Sequence, residues 1–284
     1  MADRTFTTLA DGGGFFEGPR WRDGRWWVSD FYRHNVYAIA PDGATDEVLT
    51  VEAQPSGLGW LPDGSLLVVS MRDHRVLRRA PDGAVTVHAD IGEHCGGLAN
   101  DMVVDSRGHA YVGNFGFDIM AGAPARPAAL VHIAPDGTVD VAADDLFFPN
   151  GAVVTPDGGT LVVGETTGGR YTAFSIGPDG ALGDRREWAT FEGAPDGCAL
   201  DAEGRIWAAD ALGNRVVRVA EGEGVVDEIP APDGLGIYAC MLGGDDGRTL
   251  LACAAPDYFE HNRSAAREAV LLTTTVDAPH AGLP

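Results

Sequence analysis

Six short segments of this chain are built alike, and their spacing restricts the fold more than any other feature. RWRDGRWWVSD, GWLPDGSLLVVS, MVVDSRGHAYVGN, AVVTPDGGTLVVGE, CALDAEGRIWAAD and CMLGGDDGRTLLACA each place short β-prone runs around a glycine turn. From Gly24 through Gly64, Gly108, Gly158 and Gly204 to Gly247 the intervals are 40, 44, 50, 46 and 43 residues. Such a period holds about four short strands with their turns, the size of one propeller blade. A second turn follows in four units, APDG at Ala40–Gly43, Ala80–Gly83 and Ala134–Gly137 and GPDG at Gly177–Gly180; the fifth is degraded to AEGEG at Ala220–Gly224. Asp-Gly between apolar runs is a strong hairpin signal, because Gly accepts the positive φ of a tight turn.

These features predict an all-β fold, a six-bladed β-propeller forming one domain over residues 1–284. With 284 residues, 45% of them hydrophobic, the chain can bury a core of that size. The strand-like RTFTTLA near the start and EAVLLTTTVD near the end suggest that an N-terminal strand completes the last blade and closes the ring, leaving no open edge. A pair of β-sandwiches, the main competing fold, would not explain a repeat near 45 residues.

Charge narrows the range of partners. Against 42 acidic residues stand 20 basic ones, a net charge of −22, which argues against nucleic acid and anionic membranes. Every basic residue is arginine; without lysine the chain has neither a Schiff-base nucleophile nor a P-loop. MADRTFTTLADGGG lacks an apolar stretch and no run of 18 apolar residues follows, so a cytoplasmic location is expected. Cys95, Cys198, Cys240 and Cys253 form no CxxC pair and read as reduced thiols.

In a propeller the innermost strands line a central channel, so equivalent positions in successive blades converge. Eight residues before the turn glycine lie Ser56, Asn100, Asn150, Asp196 and Ala239, and seven before Gly24 lies Glu17. A ring of carboxylate and amide oxygens suits a hard divalent cation, calcium, magnesium or manganese, and also tolerates zinc. Asn and Asp also serve as turn formers, but four oxygen ligands at one register of a repeat point to a site.

FEGPRW, LANDMVVDSRGHAYVGN, FPNGAVVTPDG and APDGCALDAEGRIWAAD together resemble the SMP-30/gluconolactonase (regucalcin-like) family over essentially the whole chain. The resemblance implies one divalent cation held by Glu17, Asn150 and Asp196, with Asn100 beside it contacting substrate. It implies hydrolysis of a lactone to its hydroxy acid, with Asp196 moving the proton. The sugar-lactone hydrolases of that family carry Arg two residues before the AND-motif Asn, where this chain has Leu98. With Phe115, Phe117, Met120, Phe147 and Phe148 nearby, Leu98 suggests a pocket for a small or less polar lactone or ester. Asp118 falls near a substrate-contacting carboxylate of the family by offset.

Two other functions fit such an architecture: a calcium-dependent phosphotriesterase of the paraoxonase type, and a non-enzymatic ligand-binding propeller. No GxSxG elbow is present, and Ser56 has no His partner at a defined spacing. His94, in EHCGG ahead of Asn100, reads first as a loop histidine, although it could lie over the mouth.

Overall fold

Each turn of the repeat closes a hairpin, and two hairpins in succession make one blade. The structure, a computed structural model, describes residues 4–282; residues 1–3 and 283–284 of the expected 1–284 unit lie outside the described residues. Six four-stranded antiparallel sheets form a six-bladed β-propeller. In the first blade the strands Phe16–Arg22, Arg25–Asp30, Asn35–Ile39 and Thr45–Thr50 follow one another outward. Four more blades repeat that order, and the sixth combines Gly236–Gly243, Thr249–Ala255 and Ala269–Thr275 with Thr7–Gly13 from the start of the chain. Thr7 lies opposite Thr273 and Gly13 opposite Ala269.

The strands differ by position in the blade. Inner strands such as Ala99–Val104 are buried on both faces, whereas outer strands such as Thr45–Thr50 are largely exposed and polar. The core lies between blades. Leu67, Val69 and Val76 of the second blade pack with Met102, Val104, Val112 and Val131 of the third. Val103, Tyr111 and Leu130 of the third pack with Leu161, Val163 and Phe174 of the fourth. Each such apolar side chain contributes about 1.5–3 kcal/mol on burial, so the joints between blades add to the cohesion of the ring.

Inner strands touch in cyclic order, Phe16–Arg22 meeting both Pro55–Trp60 and Gly236–Gly243. Their approach is so close that a Cβ on Gly151 would come within 2.3 Å of the Asp196 carbonyl oxygen. Every inner strand also carries a break in register, between Pro55 and Leu58, Ala99 and Met102, Pro149 and Ala152, and Pro195 and Cys198. An extra residue in one strand of an antiparallel pair re-aims the side chains there. Ser56, Asn100, Asn150 and Asp196 all fall in these breaks.

Candidate functional site

Because the bulges recur at one level of the ring, they bring side chains from several blades to the floor of a single cavity. That cavity has a volume of about 670 Å³ and is lined by Glu17, Asn100, Asn150, Thr166 and Asp196 together with many aromatic rings. Three of the polar side chains and Ser56 form a line of hydrogen bonds across four blades. Ser56 Oγ donates to Asn100 Oδ1 at 3.2 Å, Asn100 Nδ2 donates to Asn150 Oδ1 at 2.9 Å, and Asn150 Nδ2 donates to Asp196 Oδ1 at 2.6 Å.

Glu17 enters from the first blade, directly before its bulge. Gly18, at φ +55°, turns the chain there and donates its N–H to Glu17 Oε2 at 3.0 Å, which is the only hydrogen bond to this carboxylate among the described residues. Among the described residues neither Glu17 nor Asp196 forms a salt bridge, and the charge of Arg20 offsets the burial of Glu17 only in part. The nearby Arg20 is buried and committed: its Nη2 pairs with Asp101 Oδ1 at 3.1 Å, and the rest of the guanidinium donates to the carbonyls of Pro19, Leu58 and Met102.

The charge imbalance moves the acids accordingly. Burial, then the neighbouring Asp196 and Asp101, raise the Glu17 carboxyl well above its ordinary value. Burial, then Asp101, push Asp196 up to about 8. Two carboxylates and an amide oxygen that lack a positive partner form a donor set fitted to a hard divalent cation. Among the described residues no group of three His, Cys, Asp or Glu is arranged to hold an ion, so an amide oxygen would have to complete the set.

The sixth blade departs from the register expected of it. Its inner hairpin pairs regularly from Gly243↔Thr249 to Ala239↔Cys253 and breaks only at Tyr238. The later bulge carries Tyr238 to the cavity and leaves Ala239 fully buried beside Gly197. Leu98 and Asp118 do not join the polar floor; they line an adjacent chamber of about 410 Å³, which shares Phe31, Tyr32, Phe115, Ile119 and Met120 with the first. Leu98 is half-buried and Asp118 is exposed, its Oδ1 accepting from Ala121 N–H at 3.0 Å. Phe115 and Phe148 face the first cavity and Phe117 the second, while Phe147 is exposed and lines neither. His94, in a short turn at Gly92–His94, also lines neither. All four cysteines are free, with Cys198, Cys240 and Cys253 buried.

A second polar series supports the cavity wall, and sequence reasoning missed it. At the end of the second strand in four blades stand Asp30, Asn114, Glu165 and Asp210. Asp30 accepts from Gly14 and Phe15, Asn114 from Gly96 and Gly116, Glu165 from Phe147, and Asp210 from Ala194, all backbone N–H groups of loops around the mouth. The signal was available: Asp30, Asn114 and Asp210 each lie six residues after the turn glycine and Glu165 seven. Thr166, which follows Glu165, had no such signal.

The family model described as SMP-30/Gluconolactonase/LRE-like region matches residues 15–255. A 6-deoxy-6-sulfogluconolactonase of Pseudomonas putida is 31% identical over 140 residues, which cover 48% of this chain and 46% of that protein. Regucalcin of Danio rerio is 28% identical over 179 residues, 61% of this chain and 59% of the relative. These matches therefore span about half of each relative's length. A calcium-binding regucalcin from Agrobacterium tumefaciens superposes with a TM-score of 0.81 at 20% identity, covering 100% of this chain and 96% of the other, a likeness of fold. Among the described residues no helix is long and apolar enough to cross a membrane.

Proposed function

Because the chain belongs to the SMP-30/gluconolactonase family, we propose that it is a lactone hydrolase, opening a cyclic ester to its hydroxy acid with the aid of one divalent cation. The observation that carries this reading is the unpaired acidic floor, with Glu17 and Asp196 beside the Asn100–Asn150 line in a cavity large enough for a small organic molecule. Relatives that include a named sulfogluconolactonase support the same reaction class.

Glu17, Asn150 and Asp196 would hold the cation, which when bound polarises the lactone carbonyl and makes water more acidic. Asp196, once ionised, accepts the proton of the attacking water as its oxygen bonds to the carbonyl carbon. The ring C–O bond then breaks and the departing oxygen takes that proton, giving the hydroxy acid. Asn100 donates one N–H to Asn150 and so retains a second for the substrate. Calcium is the first choice of ion.

The aromatic lining and Leu98 favour a less polar lactone over a sugar lactone. An Arg at position 98 could add charge-assisted hydrogen bonds worth about 1.5–3 kcal/mol to a polyol, and Leu98 offers none. The test begins with elemental analysis of purified protein. Chelation and reactivation with Ca²⁺, Mg²⁺, Mn²⁺ or Zn²⁺ follow, on a panel of D-glucono-1,5-lactone, alkyl lactones and the phosphotriester paraoxon. Ion-dependent turnover of lactones, fastest on the alkyl members, is expected. Lactonase activity unaffected by chelation would overturn the role of the ion, and paraoxon as the best substrate would overturn the reaction class.

A further inference from the structure

The direction of a carboxamide is decided by its neighbours, since its two ends have the same shape and opposite hydrogen-bonding polarity. Asn150 matters in this respect, because only its carbonyl end can ligate a cation. On one side it meets Asn100, another reversible amide, whose own partner Ser56 has a hydroxyl that can donate or accept. From that side the whole line could run either way. Asp196, on the other side, accepts as a carboxylate but donates when protonated, so its polarity depends on its charge.

Thr166 is the neighbour whose polarity does not vary. Its hydroxyl has one proton, donated to the Pro195 carbonyl oxygen at 2.7 Å, and a backbone carbonyl can only accept. Toward Asn150 the hydroxyl is therefore left as an acceptor, and it takes Nδ2–H at 3.0 Å. Thr166 is itself held by its backbone N–H, which donates to the Phe148 carbonyl at 3.1 Å, and it directly follows the buried Glu165. Through this one hydroxyl the backbone of the fifth blade dictates which end of Asn150 faces its ligand partners.

We propose that Thr166 is a positioning residue that orients the Asn150 carboxamide with its oxygen available to the cation. The proposal rests on the reading of Glu17, Asn150 and Asp196 as the ion-holding set. Without the hydroxyl, Asp196 would be the main remaining fix on the amide, and a bound cation competes for that same carboxylate.

The test uses Thr166→Val and Thr166→Ala, which remove the hydroxyl with and without keeping the side-chain shape, and Thr166→Ser, which keeps it. Affinity for the cation that reactivates the wild type is measured by equilibrium dialysis, with thermal unfolding of the chelated proteins and kcat and KM on the best lactone. Thr166→Val and Thr166→Ala are expected to bind the ion roughly ten- to a hundredfold more weakly, with unfolding of the chelated protein little changed. Thr166→Ser should restore binding to within about twofold of the wild type, and added ion should recover kcat in the weakened variants. Wild-type affinity in Thr166→Val, or equal losses in Thr166→Ser and Thr166→Val, would overturn the positioning role. A wild type that binds no divalent cation would overturn the underlying reading of the site.

Discussion

At Asp196 two demands pull in opposite directions, because the proposed proton transfer needs a charged carboxylate while burial and Asp101 oppose its charge. Asp196→Asn relieves that opposition and still offers Asn150 an acceptor. Turnover should fall about a hundredfold or more, while the midpoint of thermal unfolding without cation should hold or rise. An active Asp196→Asn would exclude it as the proton acceptor. Leu98 invites the converse experiment. Leu98→Arg, whose side chain would start in the adjacent chamber, should raise kcat/KM for gluconolactone relative to an alkyl lactone by roughly tenfold or more. A wild type that already prefers gluconolactone would refute the apolar preference. Glu17, Asn100, Asn150 and Asp196 were legible as a group because their offset from a turn glycine is nearly constant and the bulges fall at one level. Tyr238 was not, since the place of a bulge depends on how the partner strand pairs. The separation of Leu98 and Asp118 from the floor was also hidden, because Phe115 and Ile119 divide the two chambers by packing that no local pattern records.

Within single elements, turn chemistry carries most of the information, which is why the blades could be counted from six turn glycines, four of them preceded by Asp. The carboxylates at the ends of second strands show what such counting leaves out. Asp210 receives N–H groups from Ala194 and Gly213 and the Nε of Arg215 at 3.0 Å, tying a loop two residues from Asp196. Asp210→Ala leaves the Ala194 N–H and the Arg215 Nε without this acceptor, while Gly213 keeps the Asp210 carbonyl, and should cost about 2–3 kcal/mol in urea unfolding, together with a loss of kcat. Unchanged stability would mean that water replaces the carboxylate without penalty. The joint between the third and fourth blades holds a different polar device. His109 Nδ1 and His132 Nε2 lie 2.9 Å apart, both rings are buried, and Tyr111 donates to the Gly180 carbonyl beside them at 2.8 Å. Burial, then His109, lower the affinity of His132 for a proton below its ordinary value of 6.5. The unfolded chain therefore binds the proton more tightly, so stability should decline as pH falls through about 6.5 and level off once the folded protein is also protonated. His132→Gln should flatten that decline in pH-dependent thermal unfolding, and an unchanged slope would remove the pair from the account.

At the scale of the molecule, the two ends of the described chain meet in one sheet, where Thr7–Gly13 lies along Ala269–Thr275. The order in which the blades are joined is thus separable from the arrangement they adopt. A chain with its old ends linked and new ends cut in the loop between the fifth and sixth blades, at Asp233–Gly234, would build the sixth blade from four consecutive strands. The circle would then be shut by contacts between blades alone, without a strand shared across the seam. Such a permuted protein should reach the same far-ultraviolet circular dichroism and bind the same ion, yet unfold at a lower temperature and exchange amide hydrogens faster in the blades flanking the cut. Equal protection there would show that the joints suffice, and that the shared strand governs how the ring assembles more than how long it lasts.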